Sequence, residues 1–252
     1  MKVAKSILFI LFTSGICCQA LGQRYGYSVQ NAHAHNDYEN KVPFFTAYNA
    51  GFGSIEADVF PVNGKLYVAH NKIGIMPERS LQSLYLDPLL KALSIDRARQ
   101  IILLIDIKEN YKLVLPILIK ELAPLQAIIV SGRLQIVISG NRPAPSEFSN
   151  YPDYIHFDDD QSRRSTPEQW NRVGLVSLRF SNLSSWKGEG KMKKDERLRI
   201  RSTVDSVHKS GKEIRFWGSP DNPQAWKMLM KLKVDRIGTD KIAQLASFIR
   251  RD

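Results

Sequence analysis

The sequence predicts an α/β fold, a single (β/α)8 TIM barrel with a short extra β-hairpin after its second strand. Three observations predict it. Short apolar, β-branched runs alternate with longer amphipathic stretches along most of the chain. Runs such as Ile101-Ile-Leu-Leu-Ile-Asp-Ile107 are apolar almost throughout, as expected of a parallel strand covered on both faces. No glycine-rich nucleotide loop follows the first of these runs, which argues against a doubly wound dinucleotide fold.

The strand candidates are Val29–His33, Gly53–Phe60, Ile101–Lys108, Leu134–Ser139, Tyr154–Asp158, Leu175–Phe180, Glu213–Trp217 and Arg236–Thr239. Asn63-Gly64 is a strong hairpin turn, so Leu66–His70 reads as a returning strand and not as a barrel stave. Helical spacing of apolar residues predicts helices over Glu78–Leu93 and Tyr111–Leu122. Thr166-Pro167-Glu168 starts a short helix ending near Arg172. Asp195–Lys209, Pro223–Lys233 and Lys241–Arg250 complete the set.

The first 22 residues carry the marks of a cleaved export signal, leaving a barrel domain over residues 23–252. Lys2 and Lys5 precede a short apolar run, and Ala20-Leu21-Gly22 offers small residues at a cleavage site. Cleavage would remove both cysteines, so the mature chain, expected in the periplasm or outside the cell, would hold no disulfide. The formal charge is +11 for the whole chain and +9 without Lys2 and Lys5. That surplus favours anionic partners, although no nucleic-acid-binding module is recognisable and nucleic acid is not expected. Lys187–Arg201 holds seven basic and three acidic residues and reads as a flexible loop leading into a solvated helix, or as a contact for an anionic membrane.

Ionisable residues concentrate at strand ends, where barrel active sites form. The first strand runs into His33-Ala-His35-Asn36-Asp37-Tyr38, the second holds Glu56-Ala-Asp58, the hairpin ends in His70-Asn71, and the next barrel strand ends in Asp106-Ile-Lys108. Residues two apart share one side of a strand, so Glu56 pairs with Asp58 and Asp106 with Lys108. Carboxylates grouped inside apolar strands call for a cation, and oxygen ligands suit Mg2+ or Ca2+. His35 and His70 are placed as general base and general acid, and Lys108 as a positive charge toward a phosphate. His33 reads as a packing residue or as a support of the site residues, Asp158-Asp159-Asp160 as a solvated loop or a second metal site, His208 as structural and Asp240 as a helix cap.

The segments HAHNDYE, GSIEADVF, KLYVAHN and LLIDIKEN together resemble the glycerophosphodiester phosphodiesterases and related phospholipase-like barrels. HNDY, SIEADV, RSLQSLYLDPL and FWGSPDNP are similar to the branch that includes the fungal altered-inheritance-of-mitochondria protein 6 group. The resemblance implies a metal-dependent hydrolase of glycerophosphodiesters or phospholipid-derived diesters. It matches His35 and His70 to the catalytic histidines, Glu56, Asp58 and Asp106 to the metal carboxylates, and Lys108 and Trp217 to the substrate side. Three positions depart from the family pattern: Asn36 stands for arginine, Asn71 for an acid, and Asp106 for glutamate. Arg179 is a candidate for the charge missing at position 36. The departures also suit a barrel that binds a phosphorylated ligand or lipid without turnover, and related barrels include lyases that form cyclic phosphates.

Overall fold

A computed structural model describes residues 26–162 and 165–251. The expected export signal lies outside the described residues. Among the described residues nine strands occur: β1 (Ala32–Ala34), β2 (Ser54–Val62), β3 (Lys65–Val68), β4 (Ile101–Ile107), β5 (Leu134–Gly140), β6 (Ile155–Asp159), β7 (Val173–Arg179), β8 (Ile214–Trp217) and β9 (Ile237–Thr239). Eight run parallel in the order β8-β7-β6-β5-β4-β2-β1-β9. An isolated parallel bridge between Arg215 and Arg236 joins β8 to β9 and brings the ring round on itself. β3 lies off this ring, antiparallel to β2, from Val59 opposite Val68 to Val62 opposite Lys65. At the hairpin turn Asn63 and Gly64 both have positive φ (49° and 75°), the conformation an Asn-Gly pair favours.

Eight helices follow in sequence: α1 (Phe45–Ala50), α2 (Asp87–Ile95), α3 (Tyr111–Glu121), α4 (Gln126–Val130), α5 (Pro167–Asn171), α6 (Lys194–Lys209), α7 (Pro223–Lys231) and α8 (Ile242–Ile249). α6 buries Ile200, Val204 and Val207 at helical spacing, starts with Asp195 and Glu196, and ends with His208 and Lys209, as the helix dipole favours. Thr166 caps α5 in a capping box with Gln169. No single helix among the described residues is long and apolar enough to cross a bilayer.

Two boundaries differ from expectation. Val29–Asn31 is a 3-10 turn and not strand, because Ser28 and Asn31 close a reciprocal cap around it. The helix expected from Glu78 begins only at Leu81, with a π-helical turn over Gln82–Leu86, because Ser80 still bridges back to Tyr67.

Side-chain alternation sorts the barrel into an outside and an inside. Ile55, Ala57, Leu103, Ile105, Ile136 and Ile138 belong to the large core beneath the helices. The opposite side of the same strands faces inward. There Ile102, Leu104, Val137 and Leu175 form a separate, small apolar cluster from β4, β5 and β7. The other buried inward residues are polar: His33, Ser54, Glu56, Asp58, Ser139, Asp158, Ser177 and Arg215. With so small an apolar plug, Leu104→Ala should cost about 2–5 kcal/mol, read as a lowered urea midpoint with the barrel's circular dichroism retained.

Candidate active site

The strands that carry polar residues inward converge on a buried ion pair. Arg215, from β8, and Glu56, from β2, are 5% and 3% exposed, and Arg215 Nη1 donates to Glu56 Oε2 at 2.8 Å. Arg215 Nε donates to Ser177 Oγ at 2.6 Å, and Nη2 lies 3.9 Å from Asp158 Oδ2. Asp158 also accepts from Ser139 Oγ at 2.8 Å. His33 completes the group, with Nε2 2.8 Å from Glu56 Oε2 and Nδ1 2.8 Å from Ser54 Oγ. Burial, then the charge of Arg215, push the His33 pKa down to about 4, so the ring is neutral. Burial works to raise the Glu56 pKa, but Arg215 and the His33 hydrogen bond outweigh it and hold the carboxyl well below its ordinary range.

Above this pair stands the carboxylate cluster. One ligand oxygen from each of Glu56, Asp58 and Asp106 lies within 4.8 Å of the others. Lys108 Nζ bridges Asp58 Oδ2 and Asp106 Oδ2, at 2.8 Å from each. Burial, then the neighbouring Glu56 charge, push Asp58 up to about 6, against the pull of Lys108. Asp58 Oδ1 is buried with no hydrogen-bond partner. Three hard oxygen donors, one of them an orphaned carboxylate oxygen, fit a divalent cation such as Mg2+ or Ca2+. Glu56, Asp58 and Asp106 would hold it.

Two histidines flank the cluster. His35 Nδ1 donates to Asp240 Oδ1 at 2.7 Å. Burial lowers the His35 pKa, but the Asp240 hydrogen bond and the Glu56 charge prevail and raise it. Asp240 is itself placed by Asp221, which accepts from the Asp240 amide at 3.1 Å, from Thr239 Oγ1 at 2.7 Å and from Trp226 Nε1 at 2.8 Å. On the other flank His70 Nδ1 lies 3.9 Å from Asp58 Oδ2 and 3.3 Å from the Tyr38 hydroxyl. That hydroxyl is also 2.7 Å from Asp58 Oδ2 and 2.8 Å from Asn36 Oδ1. Asp37 fixes the loop beneath by accepting from the Phe44 amide at 2.5 Å and from Tyr85 at 3.0 Å, while Arg79 donates to the Tyr38 carbonyl.

The expected residues therefore fall into two groups. Glu56, Asp58, Asp106, Lys108, His35 and His70 gather at the carboxyl end of the barrel. Trp217 lines one small cavity with His35 and Asp240, and Arg179 stacks on the Trp217 ring at 5.1 Å from its centroid. Asn71 is spent locally, its side chain accepting from the Gly74 amide. Four readings need correction. His33 is a polar partner of Glu56, not a packing residue. Asp240 holds His35 and does not cap the last helix by its side chain. Asp158 and Asp159 are buried; only Asp160 is the solvated residue expected, and it pairs with Arg142 at 3.3 Å. The Lys187–Lys193 loop is tied down, with Trp186 Nε1 donating to the Glu189 carbonyl at 2.6 Å and Gln224 to the Gly190 carbonyl at 2.8 Å. His208 is structural as expected, 2.8 Å from Asp235.

Sequence reasoning missed Arg215 altogether. Its signal was present: it stands two residues before Trp217 and so shares its side of the strand. Arg215→Met should cost about 3–5 kcal/mol by leaving Glu56 buried and unpaired. Arg215→Met combined with Glu56→Gln should recover most of that loss in the same denaturation measurement.

The family model described as the AIM6-like phosphodiesterase domain matches residues 26–100, which include His35, Glu56, Asp58 and His70. The model of the glycerophosphoryl diester phosphodiesterase family matches residues 213–243, which include Arg215, Trp217 and Asp240. The altered inheritance of mitochondria protein 6 homolog of Arthroderma benhamiae is 26% identical over 83% of this chain and 81% of its own. The altered inheritance of mitochondria protein 6 of Eremothecium gossypii is 26% identical over 86% of this chain and 68% of its own. Among solved structures, a glycerophosphodiester phosphodiesterase from Parabacteroides distasonis superposes with a TM-score of 0.57 at 12% identity, covering 88% of this chain and 98% of that one, a likeness of fold. The chain is thus similar in sequence to the altered inheritance of mitochondria protein 6 proteins and similar in fold to a glycerophosphodiester phosphodiesterase barrel.

Proposed function

We propose that the barrel is a metal-dependent phosphoric diester hydrolase acting on glycerophosphodiesters or phospholipid-derived diesters. The observation that carries this reading is the convergence of Glu56, Asp58 and Asp106 between two histidines at the carboxyl end of the strands. A divalent cation held there would polarise a phosphoryl oxygen and offset its developing charge. Lys108, on the same side of β4 as Asp106, adds a positive charge beside that oxygen. His35 takes the proton of the attacking water or hydroxyl at Nε2, because Nδ1 is committed to Asp240. Asp240 thereby fixes the ring's tautomer and strengthens it as a base. His70 protonates the leaving alcohol, with Tyr38 and Asp58 orienting it from the inner side. Trp217 and Arg179 stand at the mouth, where an aromatic face and a guanidinium suit the alcohol and phosphate parts of a diester.

The test is hydrolysis of bis(p-nitrophenyl) phosphate and a glycerophosphodiester panel with Mg2+, with Ca2+ and with EDTA. Metal-dependent release is expected, falling by about 10²–10⁴-fold in His35→Ala. Release by that variant at the wild-type rate would defeat the assignment. A cyclic phosphodiester product would convert the reading from hydrolase to lyase. The pH profile gives a second check. The base must be unprotonated, so activity should rise with pH through the raised His35 pKa. Asp240→Asn removes the group that raises it, so the acidic limb of kcat/KM should move to lower pH.

A further inference from the structure

Large apolar side chains fold this barrel by leaving water, so those left outside are informative by where they stand. Eight are exposed among the described residues. Six of them (Val42, Ile73, Met76, Leu113, Leu198 and Trp217) stand toward the carboxyl end of the strands, on its loops, the first turn of α3, the second turn of α6, or the end of β8. The other two, Ile95 and Val130, are the last residues of α2 and α4, at the opposite end.

Ile73 is the extreme case, 97% exposed, three residues after His70. It is not carried on a loose tail. The Asn71 side chain accepts from the Gly74 amide at 3.1 Å, closing the turn on itself, and Lys72 pairs with Glu109 at 2.6 Å, which ties the turn to the barrel rim. A fixed turn that holds an isoleucine out into water gains nothing from it in the folded chain alone. Basic residues are exposed at the same end. Lys41 adjoins Val42, and the loop from β7 to α6 exposes Lys187, Lys191 and Lys193. Arg179 lies over Trp217.

A protein partner would need a contiguous apolar core with a polar rim. The side chains here are single and spread around a mouth, with exposed basic residues at the same end. A bilayer accepts that arrangement: scattered apolar side chains enter below the head groups while lysines stay at phosphate level. We propose that the carboxyl end of the barrel docks on an anionic phospholipid bilayer, with Ile73 and Met76 inserted and Lys41, Lys187, Lys191 and Lys193 against the lipid phosphates. The opening between His35 and His70 then faces the membrane. What that opening receives rests on the phosphodiesterase reading; the docking does not.

The test uses the full chain with a reporter at the proposed point of entry. Ile73→Trp is mixed with phosphatidylcholine vesicles with and without phosphatidylglycerol, and the wild-type emission is subtracted because Trp217 stands at the same end. A blue shift with the anionic vesicles, quenched by brominated lipid, is expected, and a smaller one with phosphatidylcholine alone. An unshifted reporter on both vesicles would overturn the proposal, and equal shifts on both would overturn its anionic part. In vesicle flotation, Ile73→Glu with Met76→Glu should lower partition roughly tenfold or more. That variant should lose turnover of a diester presented in vesicles while keeping turnover of a soluble one; undiminished partition counts against docking. Partition of the wild type without hydrolysis of any diester would retain the docking and remove the phosphodiesterase reading.

Discussion

A carboxylate at the centre of a barrel has to be neutralised, and the Arg215–Glu56 pair is the constraint from which the rest of this interior follows. A guanidinium in that position brings further donors that must also be satisfied. Ser177 takes one, and Asp158, itself held by Ser139, stands opposite another. His33 and Ser54 fill the remaining side of Glu56. One buried charge thus recruits polar residues from β1, β2, β5, β6, β7 and β8. What is left of the interior for apolar packing is the cluster of four side chains from β4, β5 and β7.

The same constraint divides the electrostatics of the site into two neutralised units. Arg215 compensates Glu56 from below, and Lys108 compensates Asp58 and Asp106 from above. Compensation is incomplete in the upper unit, where burial and Glu56 push Asp58 up to about 6 and one of its oxygens finds no donor. An added positive charge is therefore favoured at the upper unit and not at the lower. The two histidines attach to these units differently. His35 is braced from β9 through Asp240 and Asp221, whereas His70 leans on Asp58 through Tyr38. Asp58 and His70 are thereby linked in one hydrogen-bonded group through Tyr38, and His35 stands outside it.

Much of this was legible in the chain because it follows from local periodicity. The eight staves and the Asn63-Gly64 hairpin announce themselves as apolar runs and a turn dipeptide, and Glu56/Asp58 and Asp106/Lys108 as residues two apart at strand ends. The failures have three causes: a partner distant in sequence, a local cap that overrides a run, or an element too short to show its period. Val29–Asn31 looks extended until Ser28 and Asn31 are seen to cap each other. α1 and α4 span six and five residues, too few to show a helical period. His33 and Asp158 acquire their roles from Arg215, which is 182 residues from His33 along the chain. The register of Ile-Arg-Phe-Trp sets Arg215 on the side of Trp217 but does not name its distant partner Glu56, and Asp240 before a helix resembles a cap until His35 is brought beside it.

The departure at position 36 has a physical account within the same frame. Asn36 sits in the left-handed region, with φ 46° and ψ 36°, where asparagine is among the better tolerated side chains and arginine is disfavoured. Its side chain meets the Tyr38 hydroxyl, so it shapes the loop between His35 and Tyr38 instead of reaching outward. Positive charge around the carboxylates and Trp217 is carried by strands and by the residues directly after them: Arg215 from β8, Arg179 from β7 and Lys108 just past β4. Strand-borne cations are held by the ladder and lose little freedom when an anion arrives, whereas a loop arginine must first be ordered. Asn36 thus leaves this loop without a charge, beside a site whose charges are already in place.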